Sequence, residues 1–173
     1  MARVYVSIGS NVDRRNNIGS ALRALARAFG TLQASQIYET PAEGFNGDPF
    51  YNLVVAFRTE LPPLDLAATL KSIEDGQGRR RDVPKFSART LDLDLLLYDD
   101  LILAQPGLNL PRDEIERYAF VLGPLAEIAS SRSHPVSGQT YGSLWRQMKP
   151  TAQLRPVATV RDLDPKIPLE DIA

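Results

Sequence analysis

Two aspartates, Asp92 and Asp94, stand one residue apart in "RTLDLDLLLYDD", a stretch otherwise rich in leucine. In a strand, alternate side chains share a face at ~3.3 Å rise per residue, which puts these carboxylates side by side, about 7 Å apart at Cα. Unpaired in an apolar setting they repel each other and resist ionisation. A cation must therefore answer them. Two remain open from the residues alone: Mg²⁺, which takes one or two carboxylates plus substrate phosphates, or arginines such as Arg89 in a structural ion-pair network. Just upstream, "GRRRDVPKFSAR" carries Arg79, Arg80, Arg81, Lys85 and Arg89 with a proline and little helix or strand pattern. Carboxylates for Mg²⁺ beside guanidinium forks for phosphate oxygens suit a metal-bound polyphosphate. The basic run also complements a helix C-terminus, and the two roles are compatible.

The rest of the composition narrows the classes. A chain of 173 residues, 43% hydrophobic and 24% charged, suffices for one domain with a substantial core. We expect a single domain over residues 1–160, followed by an acidic, loosely attached tail over 161–173. With a net charge of −1, no general affinity for nucleic acid or an anionic membrane is expected, and the local basic cluster points to a small anion. No stretch approaches the ~20 apolar residues of a membrane span, and the N-terminus runs straight into alternation without a signal-peptide core. The absence of cysteine excludes thiolate chemistry and Cys-built zinc sites, and agrees with a reducing compartment. A cytoplasmic protein, a monomer or weak homodimer, is the expectation. There is no Walker-type glycine loop.

The elements that would position the carboxylates follow from periodicity. "VYVSI" alternates as a strand, and "IGSALRALARAF" repeats apolar residues at helical spacing, with Asn16 or Asn17 as a candidate cap. "ASQIYET" and "FYNLVVAFRTE" read as strands, "PPLDLAATLKSIEDGQG" as a second helix and "TLDLDLLLYD" as the fourth strand. This β-α-β-β-α-β order is that of a ferredoxin-like α+β core, an antiparallel sheet with two helices on one face. Downstream, "LILAQPGLNLP" suggests a hairpin, "RYAFVLGPLAEIA" and "TYGSLWRQM" suggest helices for the other face, and "QLRPVATV" a last strand. Trp145 reads as packing within its helix. His134, in the turn-like "SRSHPVSG", reads as an exposed loop residue.

"RTLDLDLLLYDD", together with "YVSIGSN", "YETPAEG", "FYNLVVAF" and "LPRDEIERYAFVLGPLAEIA", resembles the 6-hydroxymethyl-7,8-dihydropterin pyrophosphokinases of folate biosynthesis, from about Val4 to about Ala129. The resemblance implies transfer of pyrophosphate from ATP to the pterin hydroxymethyl group, releasing AMP. It implies two Mg²⁺ ions held by Asp92 and Asp94, with Arg79 and Arg89 as further catalytic groups. It also implies a pterin stacked between Phe50 and Phe120, its polar edge read by Thr40, Pro41, Ala42, Gly44 and Asn52. Glu74, Arg79, Arg81, Lys85, Arg89, Arg112 and Tyr118 fall on the ATP side.

The chain departs from the family pattern mainly there. The loop before the motif ends in "FSAR" instead of W-G-P-R, so Phe86 stands for a tryptophan, and Lys85 replaces an arginine, exchanging a fork for a point charge. Arg112 stands where a histidine is usual. Tyr118 occupies an arginine position, with Arg117 one residue earlier, and Glu43 replaces an apolar residue. Two alternatives stay open beside the standard activity: a paralogue acting on a different pterin, for example in a methanopterin-type pathway, or a non-catalytic pterin- or nucleotide-binding module.

Overall fold

The computed structural model of the chain describes residues 1–41, 47–78, 91–149 and 154–172. Strand β1 (Ala2–Ser10) leads into helix α1 (Arg14–Phe29), the short strand β2 (Gln33–Ala34), β3 (Ile37–Thr40), β4 (Phe50–Thr59), α2 (Pro63–Gly78) and β5 (Asp92–Tyr98). The sheet runs β5-β1-β4-β3 and ends on a strand from Arg155 to Ala158 (β8), every adjacent pair antiparallel, with β2 also on β4. Strands β1 and β3 flank β4, the split arrangement expected of a ferredoxin-like core. Beyond it lie the hairpin β6 (Leu103–Gln105) and β7 (Leu108–Leu110), then α3 (Glu114–Arg117), α4 (Ala119–Ala129), α5 (Tyr141–Met148), β8 (Arg155–Ala158) and α6 (Val160–Leu163). Among the described residues, no helix is long and apolar enough to cross a membrane.

Period-two alternation sorts the strand side chains into two cores. Val4, Val6 and Ile8 of β1, Leu53, Val55 and Phe57 of β4, and Leu93 and Leu95 of β5 pack against Ile18, Leu22 and Leu25 of α1 and Leu66 and Leu70 of α2. Tyr5, Val54, Ala56, Leu96 and Leu97 face the other way, onto Val121, Leu122 and Leu125 of α4 and Tyr141 of α5. The antiparallel α+β sandwich with helices on both faces is thus the expected one.

The three consecutive leucines of β5 have a structural reason. The β1–β5 register shifts between Tyr5 and Val6, whose partners are Leu97 and Leu95. Leu96 is therefore the extra residue of a bulge, and Leu96 and Leu97 both enter the second core while Leu93 and Leu95 stay in the first. The Leu96 carbonyl accepts a hydrogen bond from the Arg112 amide at 3.0 Å, which ties the chain after β7 to the strand of the carboxylates.

Several expectations are corrected. Helix α1 begins at Arg14, so Asn16 and Asn17 lie in its first turn; Asp13, in the left-handed region at φ 43°, is the N-cap and its carboxylate accepts from Asn16 Nδ2 at 3.0 Å. "ASQIYET" is two short strands, because both β2 and β3 pair with β4 but not continuously. His134 is buried, not exposed: its Nδ1 accepts from the Val136 and Ser137 amides and its Nε2 lies 3.1 Å from Glu116. Nor is the segment from Arg161 loosely attached. The Leu32 amide donates to the Pro168 carbonyl at 3.0 Å, the Glu170 amide donates to Leu32 at 2.9 Å, and Ile167 enters the first core. Its acidic groups meet arginines far away in sequence, Arg3 with Glu170 and Arg23 with Asp164.

Candidate active site

Beyond the residues packed under α4, the strand residues on the second face of the sheet turn small or polar. Gly9 is the register partner of both Asn52 on β4 and Asp92 on β5, and Ser7 is that of Val54 and Asp94. Ser7, Gly9 and Asn52 form the floor of a cleft of about 160 Å³. Asp92, Asp94 and Glu114 make one wall; Phe50, Phe120, Val121 and Pro41 supply apolar surface, and Thr40 stands at the end of β3. Asn52 Nδ2 donates to Thr40 Oγ1 at 2.7 Å in a buried position. A Cβ on Gly9 would meet Asn52 Oδ1 at 2.9 Å, so glycine is needed there for close approach.

Seven residues expected at the site therefore come together around one cleft: Thr40, Pro41, Phe50, Asn52, Asp92, Asp94 and Phe120. Sequence reasoning missed Ser7, Gly9, Glu114 and Val121. For the first two a signal existed, since they continue the face of Tyr5 at two-residue steps in "YVSIGSN", and small residues on a buried strand face mark a close approach. For Glu114 and Val121 none did, because the turn between β7 and α4 decides where they point.

The ATP-side expectations fare differently. Arg112 Nη2 lies 3.5 Å from Asp94 Oδ1, and the same guanidinium meets Glu114 with Nη2 at 3.2 Å from Oε1 and Nε at 3.1 Å from Oε2, the latter without hydrogen-bond alignment. Burial disfavours the charge on Arg112, but Glu114 and Asp94 more than offset it and hold its pKa above the ordinary arginine value. Tyr118 stacks on Phe120 at 5.0 Å between centroids and 19° between planes, so it backs the aromatic wall. Arg117 lies over the Tyr118 ring and pairs with Asp113 at the surface. Glu74 accepts from the Leu93 amide at 2.6 Å, gripping β5 between the two aspartates. Ala42, Gly44, Arg79, Arg81, Lys85, Phe86 and Arg89 lie outside the described residues.

Among the described residues no three acidic or histidine side chains converge tightly enough to form a metal cage. Asp92 and Asp94 nevertheless fit Mg²⁺, which commonly takes one or two carboxylates and completes its shell with water and substrate phosphates. Asp94 is partly open to solvent, at 35% side-chain exposure, and both carboxylates face the cleft. The arrangement is an apolar surface, a hydrogen-bonded Asn52–Thr40 pair and an acidic wall, all on one cleft.

Fold and cleft together define a protein of the ferredoxin-like α+β class with an acidic cleft of small-molecule size. Residues 5–130 match the model of the family described as 7,8-dihydro-6-hydroxymethylpterin-pyrophosphokinase (HPPK). The chain belongs to that family. It is 43% identical over 131 residues to the 2-amino-4-hydroxy-6-hydroxymethyldihydropteridine pyrophosphokinase of Pseudomonas aeruginosa, covering 73% of this chain and 80% of the relative. The enzyme of the same name from Aquifex aeolicus is 33% identical over 162 residues, covering 92% and 98%. A crystal structure of Plasmodium falciparum HPPK-DHPS superposes with a TM-score of 0.68 at 17% identity, over 87% of this chain and 45% of that one. At that identity the likeness speaks for the fold.

Proposed function

We propose that the chain transfers pyrophosphate from ATP to the hydroxymethyl group of 6-hydroxymethyl-7,8-dihydropterin in folate biosynthesis. The observation that carries the proposal is the placement of Asp92 and Asp94 on the same cleft as Phe50, Phe120 and the Asn52–Thr40 pair. The pterin hydroxyl oxygen forms a bond to the β-phosphorus, the bond from that phosphorus to the oxygen bridging it to the α-phosphorus breaks so that this oxygen leaves on AMP, and the hydroxyl proton passes to solvent. Phe50 and Phe120 flank the ring, and Asn52 and Thr40 orient its polar edge. This leaves the protein to align hydroxyl with phosphorus and to balance charge, which needs no nucleophilic side chain. Asp92 and Asp94 would hold two Mg²⁺ ions, which supply charge neutralisation across the phosphates when bound with ATP.

Arg112 contributes a permanent cation beside Asp94, and Arg79, Arg81, Lys85 and Arg89 extend the phosphate-binding charge. Ala42 and Gly44 complete the pterin edge. Tyr118 acts here through Phe120, and Glu74 through β5. We take residues 1–160 as the catalytic domain, with the acidic segment 161–173 packed against it. A cytoplasmic monomer or weak homodimer, acting on small molecules without nucleic acid or membrane, accords with the composition.

The test is AMP release from ATP and Mg²⁺ with the pterin, against controls without pterin and with Asp94→Ala. Pterin-dependent AMP, reduced roughly 10³-fold in the variant, about 4 kcal/mol of transition-state stabilisation, is expected. Pterin binding without AMP would instead favour a different pterin substrate or a binding module, and a variant as active as the wild type would refute the metal assignment.

A further inference from the structure

Helix α1 opens on two arginines, Arg14 and Arg15, with no acidic residue in its first turn. A cation at a helix N-terminus opposes the macrodipole, so Arg14 needs compensation from elsewhere. It comes from the sheet. Arg14 Nη1 donates to Glu39 Oε2 at 3.0 Å and to the Pro49 carbonyl at 3.0 Å, and its guanidinium carbon lies 3.9 Å from the centre of the Tyr51 ring. Glu39 is held from the other side by Arg155 Nη2 at 2.7 Å.

These acceptors mark the place where the chain leaves β3 and returns into β4. Glu39 is the register partner of Tyr51, and the next pair out is Thr40 with Phe50. Adjacent strand residues point to opposite faces. Tyr51 packs on the core of α1 and α2, whereas Thr40 and Phe50 line the cleft on the other face. One guanidinium therefore bridges the end of β3 and the entry of β4 from behind, a single residue from each of two cleft-lining side chains.

We propose that Arg14 is a positioning residue that sets, from the far face of the sheet, the spacing of Thr40 and Phe50, and so governs affinity for the flat ring in the cleft without touching it. This rests on the pterin reading of the cleft. A planar ligand between an aromatic face and a hydrogen-bonding edge tolerates little change in that spacing, because stacking and edge contact must hold together.

The experiment measures the Kd of 6-hydroxymethyl-7,8-dihydropterin, with Mg²⁺ and a non-hydrolysable ATP analogue present, for the wild type, Arg14→Met and Arg14→Lys, with KM for each substrate and the thermal midpoint. Arg14→Met keeps the aliphatic stem and removes the bridge. It is expected to bind pterin roughly tenfold more weakly, about 1.4 kcal/mol, with KM for ATP unchanged. Arg14→Lys should recover most of the loss, since an ammonium has donors for both oxygens although it lacks the plane that covers Tyr51. Should Arg14→Met fail to fold, Glu39→Ala, which removes the acceptor at the end of β3 and leaves the Pro49 bond in place, must show the same selective weakening. An unchanged Kd, or pterin and ATP weakened in parallel, overturns the proposal. Wild-type protein that binds no pterin would overturn the pterin reading itself, and this proposal with it.

Discussion

Arg112 stands between two carboxylates, 3.5 Å from Asp94 and 3.1 to 3.2 Å from Glu114, so one of the two aspartates facing the cleft already has an internal cation beside it. Glu114 competes with Asp94 for that guanidinium. Glu114→Gln should let Arg112 close on Asp94 and raise the Mg²⁺ concentration for half-maximal activity roughly two- to fivefold, the scale of a partly exposed ion pair. Arg112→Ala should lower that requirement while raising KM for ATP. A Mg²⁺ titration of initial rates reads both, and coincident curves for wild type and Glu114→Gln would show that Glu114 does not restrain Arg112.

The close approach at Gly9 gives a prediction on the pterin side. In Gly9→Ala the new methyl meets Asn52 Oδ1 at 2.9 Å and must push that side chain off Thr40. Loss of one buried hydrogen bond and of the edge it orients should raise KM for the pterin roughly fivefold, with KM for ATP unchanged. Steady-state kinetics with each substrate varied in turn would settle it.

Glu74 leads to a prediction about β5. Its bond to the Leu93 amide holds the edge strand between Asp92 and Asp94. Glu74→Ala should cost about 1 to 2 kcal/mol, lower the thermal midpoint by roughly 2 to 8 °C and speed amide exchange at Leu93, whereas Glu74→Gln keeps an acceptor and should do less. A raised KM for ATP with unaltered exchange would mean that the side chain acts on the nucleotide directly.

Acid should loosen the C-terminal segment. The Thr159 amide and hydroxyl hold the Asp162 carboxyl below the usual carboxylate range, and the Lys166 amide, followed by Arg23, does the same for Asp164. Because both folded-state values are depressed, their stabilisation is present above the ordinary value near 3.8 and lost as pH falls below it. The protection of amides around α6, taken relative to their intrinsic exchange rate at each pH, should fall below that point and stay flat above it. Equal protection across the window would show that these caps do not hold the segment.

Much of this molecule is readable in one dimension. The period-two runs in "VYVSI" and "FYNLVVAF" and the helical stripes of α1 and α2 reflect burial on one side, which leaves its trace in local spacing. The Asp92/Asp94 pair is legible for the same reason: charge in the middle of an apolar strand needs an explanation wherever the strand lies. His134 and the segment from Arg161 were misjudged because their partners, Glu116, Leu32, Arg3 and Arg23, are remote along the chain. Polar, turn-rich residues look the same whether they end in solvent or against a distant arginine.

The sequence alone determined the α+β order, the two faces of the sheet and the carboxylate pair, because backbone periodicity and the cost of buried charge are local properties. Only the tertiary structure decided which residues share the cleft. The β1–β5 bulge turns Leu96 and Leu97 to one face, the register sets Gly9 between Asn52 and Asp92, and the turn after β7 brings Arg112 and Glu114 beside Asp94. Each depends on strand pairing or packing between segments far apart along the chain, and periodicity within a segment carries no information about its partner.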